Sequence, residues 1–141
     1  MDLIIQARTG SSRLPNKILY KCINNISFLE FFYLRISKSK NINRIIIATS
    51  INRKDDIIED ICIQNKWLYF RGDENNLISR FYHCCLKFNI SNIIRITSDC
   101  PLVDYKMIDK IIDKFWKSKK KNNINFMDMK YYMNQEKHGF P

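Results

Sequence analysis

The sequence predicts an α/β fold in three layers, a mostly parallel central sheet with helices on both faces. Two observations carry this. Apolar runs of strand length alternate regularly with segments whose apolar residues recur at helical spacing, the order expected of strand–helix–strand units. The run at 44–49 is also continuous and rich in isoleucine, as a strand covered on both faces is. Right-handed crossovers then bring the carboxyl ends of the strands to one rim, where ligands of such sheets bind.

In chain order, Leu3 to Ile5 forms the first strand, and a loop over 8–17 follows it. Ser27 with Glu30 three residues later is a capping box opening a helix to about residue 40. Its inner residues are Phe28, Leu29, Phe31, Phe32, Leu34 and Ile36. Residues 44–49 form the next strand, and 54–65 a helix with Asp55 and Asp56 in its first turn and Ile57, Ile58, Ile61 and Cys62 inward. A short aromatic strand at 67–70 leads through a loop at 71–76 into a helix at 77–88. A fourth strand at 92–97 ends in Ser98-Asp99-Cys100-Pro101. Asp104 caps a helix at 105–118 with Met107, Ile108, Ile111, Ile112 and Phe115 on its buried stripe. The basic end at 117–121 reads as solvated, and 124–129 as a fifth strand. Three loops with chemistry in them, 8–17, 71–76 and 98–101, all follow strands and are expected to converge.

At 141 residues the chain is one domain's worth, long enough to bury roughly two-thirds of its unfolded surface. The 24 Lys and Arg against 14 Asp and Glu invite a nucleic-acid reading, but the lysines scatter along helices and form no stripe, so no specific nucleic-acid partner is expected. Five cysteines with no CxxC pair and no ligand spacing to His83 or His138 argue against zinc and against a disulfide framework; reduced thiols in a cytoplasmic protein are expected. The chain opens directly on its first strand and holds no apolar run near the ~18 residues a bilayer span needs, so neither a leader peptide nor a membrane partner is expected.

The first loop has the make-up of an anion cradle. Gly10 lets backbone approach a ligand, Ser11 and Ser12 donate hydrogen bonds, and Arg8, Arg13 and Lys17 supply fixed positive charge. Each charge-assisted bond is worth roughly 1.5–3 kcal/mol, enough for three cations to hold a triphosphate. A solvated surface turn has the same composition. Gly10 has no second glycine before Lys17, which excludes a Walker A loop, and no GxGxxG is present. At the fourth strand's end Asp99 has no packing role; it suits Mg²⁺, which takes one or two carboxylates beside substrate phosphates, and it equally suits a turn cap before Pro101.

Gln6-Ala7-Arg8-Thr9-Gly10-Ser11-Ser12-Arg13-Leu14-Pro15-Asn16-Lys17 resembles the opening signature of the cytidylyltransferase family, which includes CMP-Kdo and CMP-acylneuraminate synthetases and the F-type spore-coat polysaccharide proteins. Arg95-Ile96-Thr97-Ser98-Asp99-Cys100-Pro101-Leu102-Val103-Asp104 is similar to a second motif of the family, with Ser98 in place of glycine. The resemblance implies a Rossmann-like nucleotide-diphospho-sugar transferase fold in which Ala7, Arg8, Gly10, Ser11, Ser12, Arg13 and Lys17 bind the nucleotide and Asp99 holds Mg²⁺. Arg71 and Arg80 lie where the family meets nucleotide or substrate. It implies transfer of CMP from CTP to a sugar acid, with Arg8, Lys17 and Asp99 as the catalytic groups, and leaves a homodimer open. Gly139-Phe140-Pro141 looks like the start of a later family segment, so 1–141 is expected to be the N-terminal portion of a longer family domain. Asn16 stands where the family often has glycine, and asparagine tolerates the left-handed backbone glycine would adopt there. Two other readings stay open: a nucleotide-sugar glycosyltransferase, though its usual Asp-x-Asp is missing at Asp99, and a nucleotide-binding remnant without turnover.

Overall fold

Four short strands, each leaving its carboxyl end at the same rim, set the architecture. The computed structural model describes residues 1–10, 14–100 and 102–122, with side chains to residue 120. Ser11, Ser12, Arg13, Pro101, the expected fifth strand, His138 and Gly139 to Pro141 lie outside the described residues. The strands are β1 (Asp2–Gln6), β2 (Ile45–Ser50), β3 (Leu68–Gly72) and β4 (Ile93–Thr97), and the helices α1 (Phe28–Ile36), α2 (Asp56–Gln64), α3 (Leu77–Phe88) and α4 (Tyr105–Asn122). Every pairing among these strands is parallel, in the order β3-β2-β1-β4.

That order fixes the layers. The steps β1 to β2 and β2 to β3 run one way across the sheet and the step β3 to β4 runs back, so right-handed crossovers place α3 on the opposite face from α1 and α2. The core divides accordingly. Leu3, Ile5, Ile45 and Ile47 pack with Leu29, Phe32, Ile36, Ile58, Cys62, Ile108 and Ile112 on one face. Ile4, Ile46 and Ala48 pack with Phe81 and Cys84 on the other. The three-layer α/β expectation holds, and β2 is buried along its whole length as its unbroken apolar run requires.

Helix ends differ from expectation where distant residues decide them. The capping box of α1 forms, Ser27 N–H donating to Glu30 Oε2 at 2.7 Å and Glu30 N–H to Ser27 Oγ at 3.2 Å. The helix stops at Ile36, four residues early, because Asp109 of α4 gathers the Ser39 hydroxyl and the Asn41 N–H and draws the chain off the helix axis. Leu34 and Ile57, expected inside, are 51% and 43% exposed. A 3-10 turn, Arg53–Asp55, precedes α2. The basic end 117–121 continues α4 as helix, with Lys119 donating to Asn92 Oδ1 at 3.0 Å. Arg71 and Gly72, expected in a loop, pair with Thr49 and Ser50 and belong to β3. No helix among the described residues is long and apolar enough to cross a membrane.

Candidate functional site

Strand order reverses between β1 and β4, and in open parallel sheets a ligand crevice lies at such a reversal, beyond the carboxyl ends. The residues found there come from the loop after β1 and the turn after β4. Ser98 N–H donates to Gln6 O at 3.1 Å, carrying the β1–β4 pairing one step past the strand, and this puts Asp99 at the mouth of the crevice. Lys17 opens a 3-10 turn, Lys17–Leu19, whose Ile18 is buried in the core beneath α1, so the ammonium is anchored through its neighbour. Lys17 Nζ stands 3.6 Å from Asp99 Oδ2, with side chains 30% and 48% exposed. The Thr97 hydroxyl donates to Asp99 Oδ1. That bond above all holds the Asp99 carboxyl below its ordinary value; burial opposes it, and the Lys17 ammonium adds to the lowering.

The loop itself is narrow at its neck. Asn16 N–H donates to Thr9 O at 3.0 Å, and Asn16 sits in the left-handed region at φ 57°. Arg8 is exposed just before the neck and Lys17 lies just after it. Ala7 is buried, its N–H donating to Ala48 O at 3.1 Å. Gly10 is exposed, and a Cβ there would meet nothing within 4 Å.

The two arginines behind the loop are held differently from what their motif position suggests. Arg71 donates to Ser50 O at 3.0 Å, Asn52 O at 3.1 Å, Asp56 Oδ1 at 2.6 Å and Glu59 Oε2 at 2.5 Å, bracing the turn that leaves β2. Arg80 is 2% exposed and donates to the carbonyls of Asp73 and Glu74, each at 2.8 Å. Its Nη1 is buried with no hydrogen-bond partner among the described residues. Burial, then repulsion from Arg8, lowers the pKa of its guanidinium, so the two arginines sense each other across the rim. Gly72 allows this packing: a Cβ there would lie 2.8 Å from Arg80 Cγ and from Phe70 Cε1.

Sequence reasoning missed Asp55, which reads as one of two acids in a helix's first turn. The structure buries it at 3% exposure, where Oδ1 accepts from Thr9 N–H at 2.8 Å and Thr9 Oγ1 at 2.7 Å and Oδ2 accepts from Ser50 Oγ. Its only sequence signal is redundancy, since one of the pair Asp55-Asp56 suffices at a helix start.

Among the described residues no three His, Cys, Asp or Glu side chains could together hold a metal. A single rim carboxylate fits Mg²⁺ arriving with substrate phosphates, which supply the remaining oxygens along with water. Burial pushes the Cys62 and Cys84 thiols up to about 12, so neither is a nucleophile near neutral pH.

The profile of the family described as Cytidylyltransferase matches residues 3–138. Spore coat polysaccharide biosynthesis protein SpsF of Bacillus subtilis is 39% identical over 113 residues, covering 77% of this chain and 47% of SpsF. The 3-deoxy-manno-octulosonate cytidylyltransferase of Fusobacterium nucleatum is 34% identical over 124 residues, covering 82% of this chain and 46% of that protein. Among solved structures, a cytidylyltransferase from Leptospira borgpetersenii superposes with a TM-score of 0.77 at 37% identity, covering 82% of this chain and 48% of that one. The chain spans about half the length of the curated relatives it matches.

Proposed function

Because the chain belongs to the cytidylyltransferase family, we propose that it takes part in transferring CMP from CTP to an acidic sugar in surface-polysaccharide biosynthesis, with release of pyrophosphate. The observation that carries this reading is the meeting of Lys17 and Asp99 at the reversal of strand order. An ammonium and a carboxylate side by side in the crevice offer one group to phosphate oxygens and the other to the cation those phosphates bring.

In the reaction, a hydroxyl oxygen of the acceptor bonds to the α-phosphorus while the bond from that phosphorus to the bridging oxygen of pyrophosphate breaks. Charge builds on the departing phosphates, and preorganised cations lower the barrier most at that point. Arg8 and Lys17, with Arg13, meet those oxygens, and Gly10, Ser11 and Ser12 complete the cradle; Ala7, whose N–H is held by Ala48 O, contributes as the packed base of the nucleotide site. Asp99 would hold Mg²⁺, which when bound neutralises phosphate charge. Arg80, buried with its Nη1 unpartnered among the described residues, adds positive charge that reaches the nucleotide loop through Arg8. Arg71 acts indirectly, through the turn it braces.

Calorimetry of this chain with each of the four ribonucleoside triphosphates in MgCl₂, followed by a pyrophosphate assay with CTP and a panel of sugar acids, tests the reading. A clear preference for CTP, with pyrophosphate released only when a sugar acid is present, is the expected result. Uptake of nucleotide-sugars in preference to CTP would instead favour a glycosyltransferase.

A further inference from the structure

Asp55 holds the N-cap position of α2 and does not cap it. Aspartate there ordinarily accepts an N–H two or three residues onward within its own helix. Here the carboxylate turns the other way and takes both donors of Thr9, a residue on the loop after β1. A buried carboxylate is costly unless its oxygens are hydrogen-bonded, so a solvated cap would be the cheaper arrangement. What the buried arrangement fixes is the neck of the loop. Thr9 gives its N–H and hydroxyl to Asp55, while its carbonyl accepts from Asn16. Arg8 lies one residue before this neck and Lys17 one residue after it. Ser50, at the end of β2, steadies the second carboxylate oxygen, and Arg71 clamps the carbonyls of Ser50 and Asn52 on the same turn.

We propose that Asp55 is a positioning residue for the neck of the loop after β1: by clamping Thr9 it sets the separation of Arg8 and Lys17, and so the fit of these two cations to a triphosphate. The inference rests on the nucleotide reading above, which does not itself involve Asp55.

The test compares wild type, Asp55→Asn, Asp55→Ala and Thr9→Val by calorimetry with CTP and MgCl₂, thermal unfolding and amide hydrogen exchange. Asp55→Asn raises the CTP dissociation constant about tenfold while unfolding stays cooperative, and Thr9→Val, which keeps the N–H but loses the hydroxyl, falls between it and wild type. The amides of Thr9 and Asn16 exchange about tenfold faster in Asp55→Asn, with β1 and β2 unchanged. Asp55 variants that melt earlier but bind CTP as wild type does would reduce the residue to a structural prop and overturn the proposal. Should wild type itself take up no CTP, the nucleotide reading fails, and exchange still decides the clamp: unchanged rates at Thr9 and Asn16 in Asp55→Asn would overturn it. Where Asp55→Ala does not fold, Asp55→Asn and Thr9→Val carry the comparison.

Discussion

Lys17 Nζ lies 3.6 Å from Asp99 Oδ2, one leaving the loop after β1 and the other leaving β4, on the two strands between which the sheet reverses its order. At this exposure the pair contributes little to stability, about 0–1 kcal/mol, so its position calls for an explanation other than holding the fold together. The strand-end crevice supplies one. Both groups face the place where a parallel sheet receives its ligand, and each is paired to the other through charge that a bound polyphosphate and its cation would replace.

Lys17→Ala therefore separates binding from folding. The thermal midpoint moves little, because the lost ion pair is half-solvated, whereas CTP affinity falls about tenfold or more with the loss of one charge-assisted contact. Calorimetry beside a melting curve checks this, and an unaltered affinity takes Lys17 out of the site.

Asp99→Asn carries a prediction of opposite signs. It removes the carboxylate proposed to meet the phosphate-bound cation, so the gain in CTP affinity on adding MgCl₂ shrinks. It also releases Lys17 from its partner, so affinity measured in EDTA stays level or rises. A variant that loses metal-free binding as well would show that Asp99 shapes the crevice and does not serve the cation.

Much of this site could be read from the chain alone, for a physical reason. Apolar runs of strand length mark β1, β2 and β4, and a loop that follows a parallel strand must emerge at the carboxyl rim, so the convergence of Lys17 with Asp99 follows from the order of elements. Asn16 in the left-handed region was legible too, because few other residues reach that backbone without cost. What could not be read depends on partners far along the chain. Asp109 ends α1, Glu59 and Asp56 engage Arg71, and Thr9 captures Asp55. Arg80 goes against the ordinary preference of arginine for the surface, and the carbonyls of Asp73 and Glu74, with the nearby charge of Asp55, Asp73 and Glu74, make its burial tolerable.

Acid should loosen the loop before it unfolds the sheet. Burial tends to raise the Asp55 carboxyl, but hydrogen bonds from Ser50 and Thr9 outweigh it and hold the group below its ordinary 3.8. A carboxyl lowered on folding contributes stability that is fully present above its unfolded value and is lost as pH falls through the folded one. The contribution of Asp55 is thus constant from neutral pH down to about 5 and is lost progressively as pH falls past 3.8 through the lowered folded value. Hydrogen exchange of Thr9 and Asn16, followed stepwise from about pH 7 down past 3.8 until the fold is lost and corrected for intrinsic rates, should show the wild-type loop approaching the Asp55→Asn loop as the carboxyl protonates. Protection of the wild-type loop that stays level until the sheet itself unfolds would contradict the assignment.

Gly72→Ala tests whether the packing behind the loop matters to it. Gly72 closes β3, and its backbone is not left-handed, so an alanine there is strained only by its neighbours. The added Cβ would lie 2.8 Å from Arg80 Cγ and from Phe70 Cε1, and 3.2 Å from Arg80 Cα. The first two contacts are with side chains, but the third is with backbone of α3, so the helix must move as well. Overpacking of this kind costs about 1–3 kcal/mol, which a urea titration resolves. The displacement also shifts the Arg80 guanidinium relative to Arg8, so CTP affinity should fall along with stability. A variant destabilised from the far side of the sheet, Ile58→Val, provides the control, since it costs about 0.5–1.5 kcal/mol without touching the Arg80 contacts and affinity can be compared against the measured loss of stability in each. If both variants bind CTP alike, Arg80 holds loop 73–74 in place and has no hand in the nucleotide.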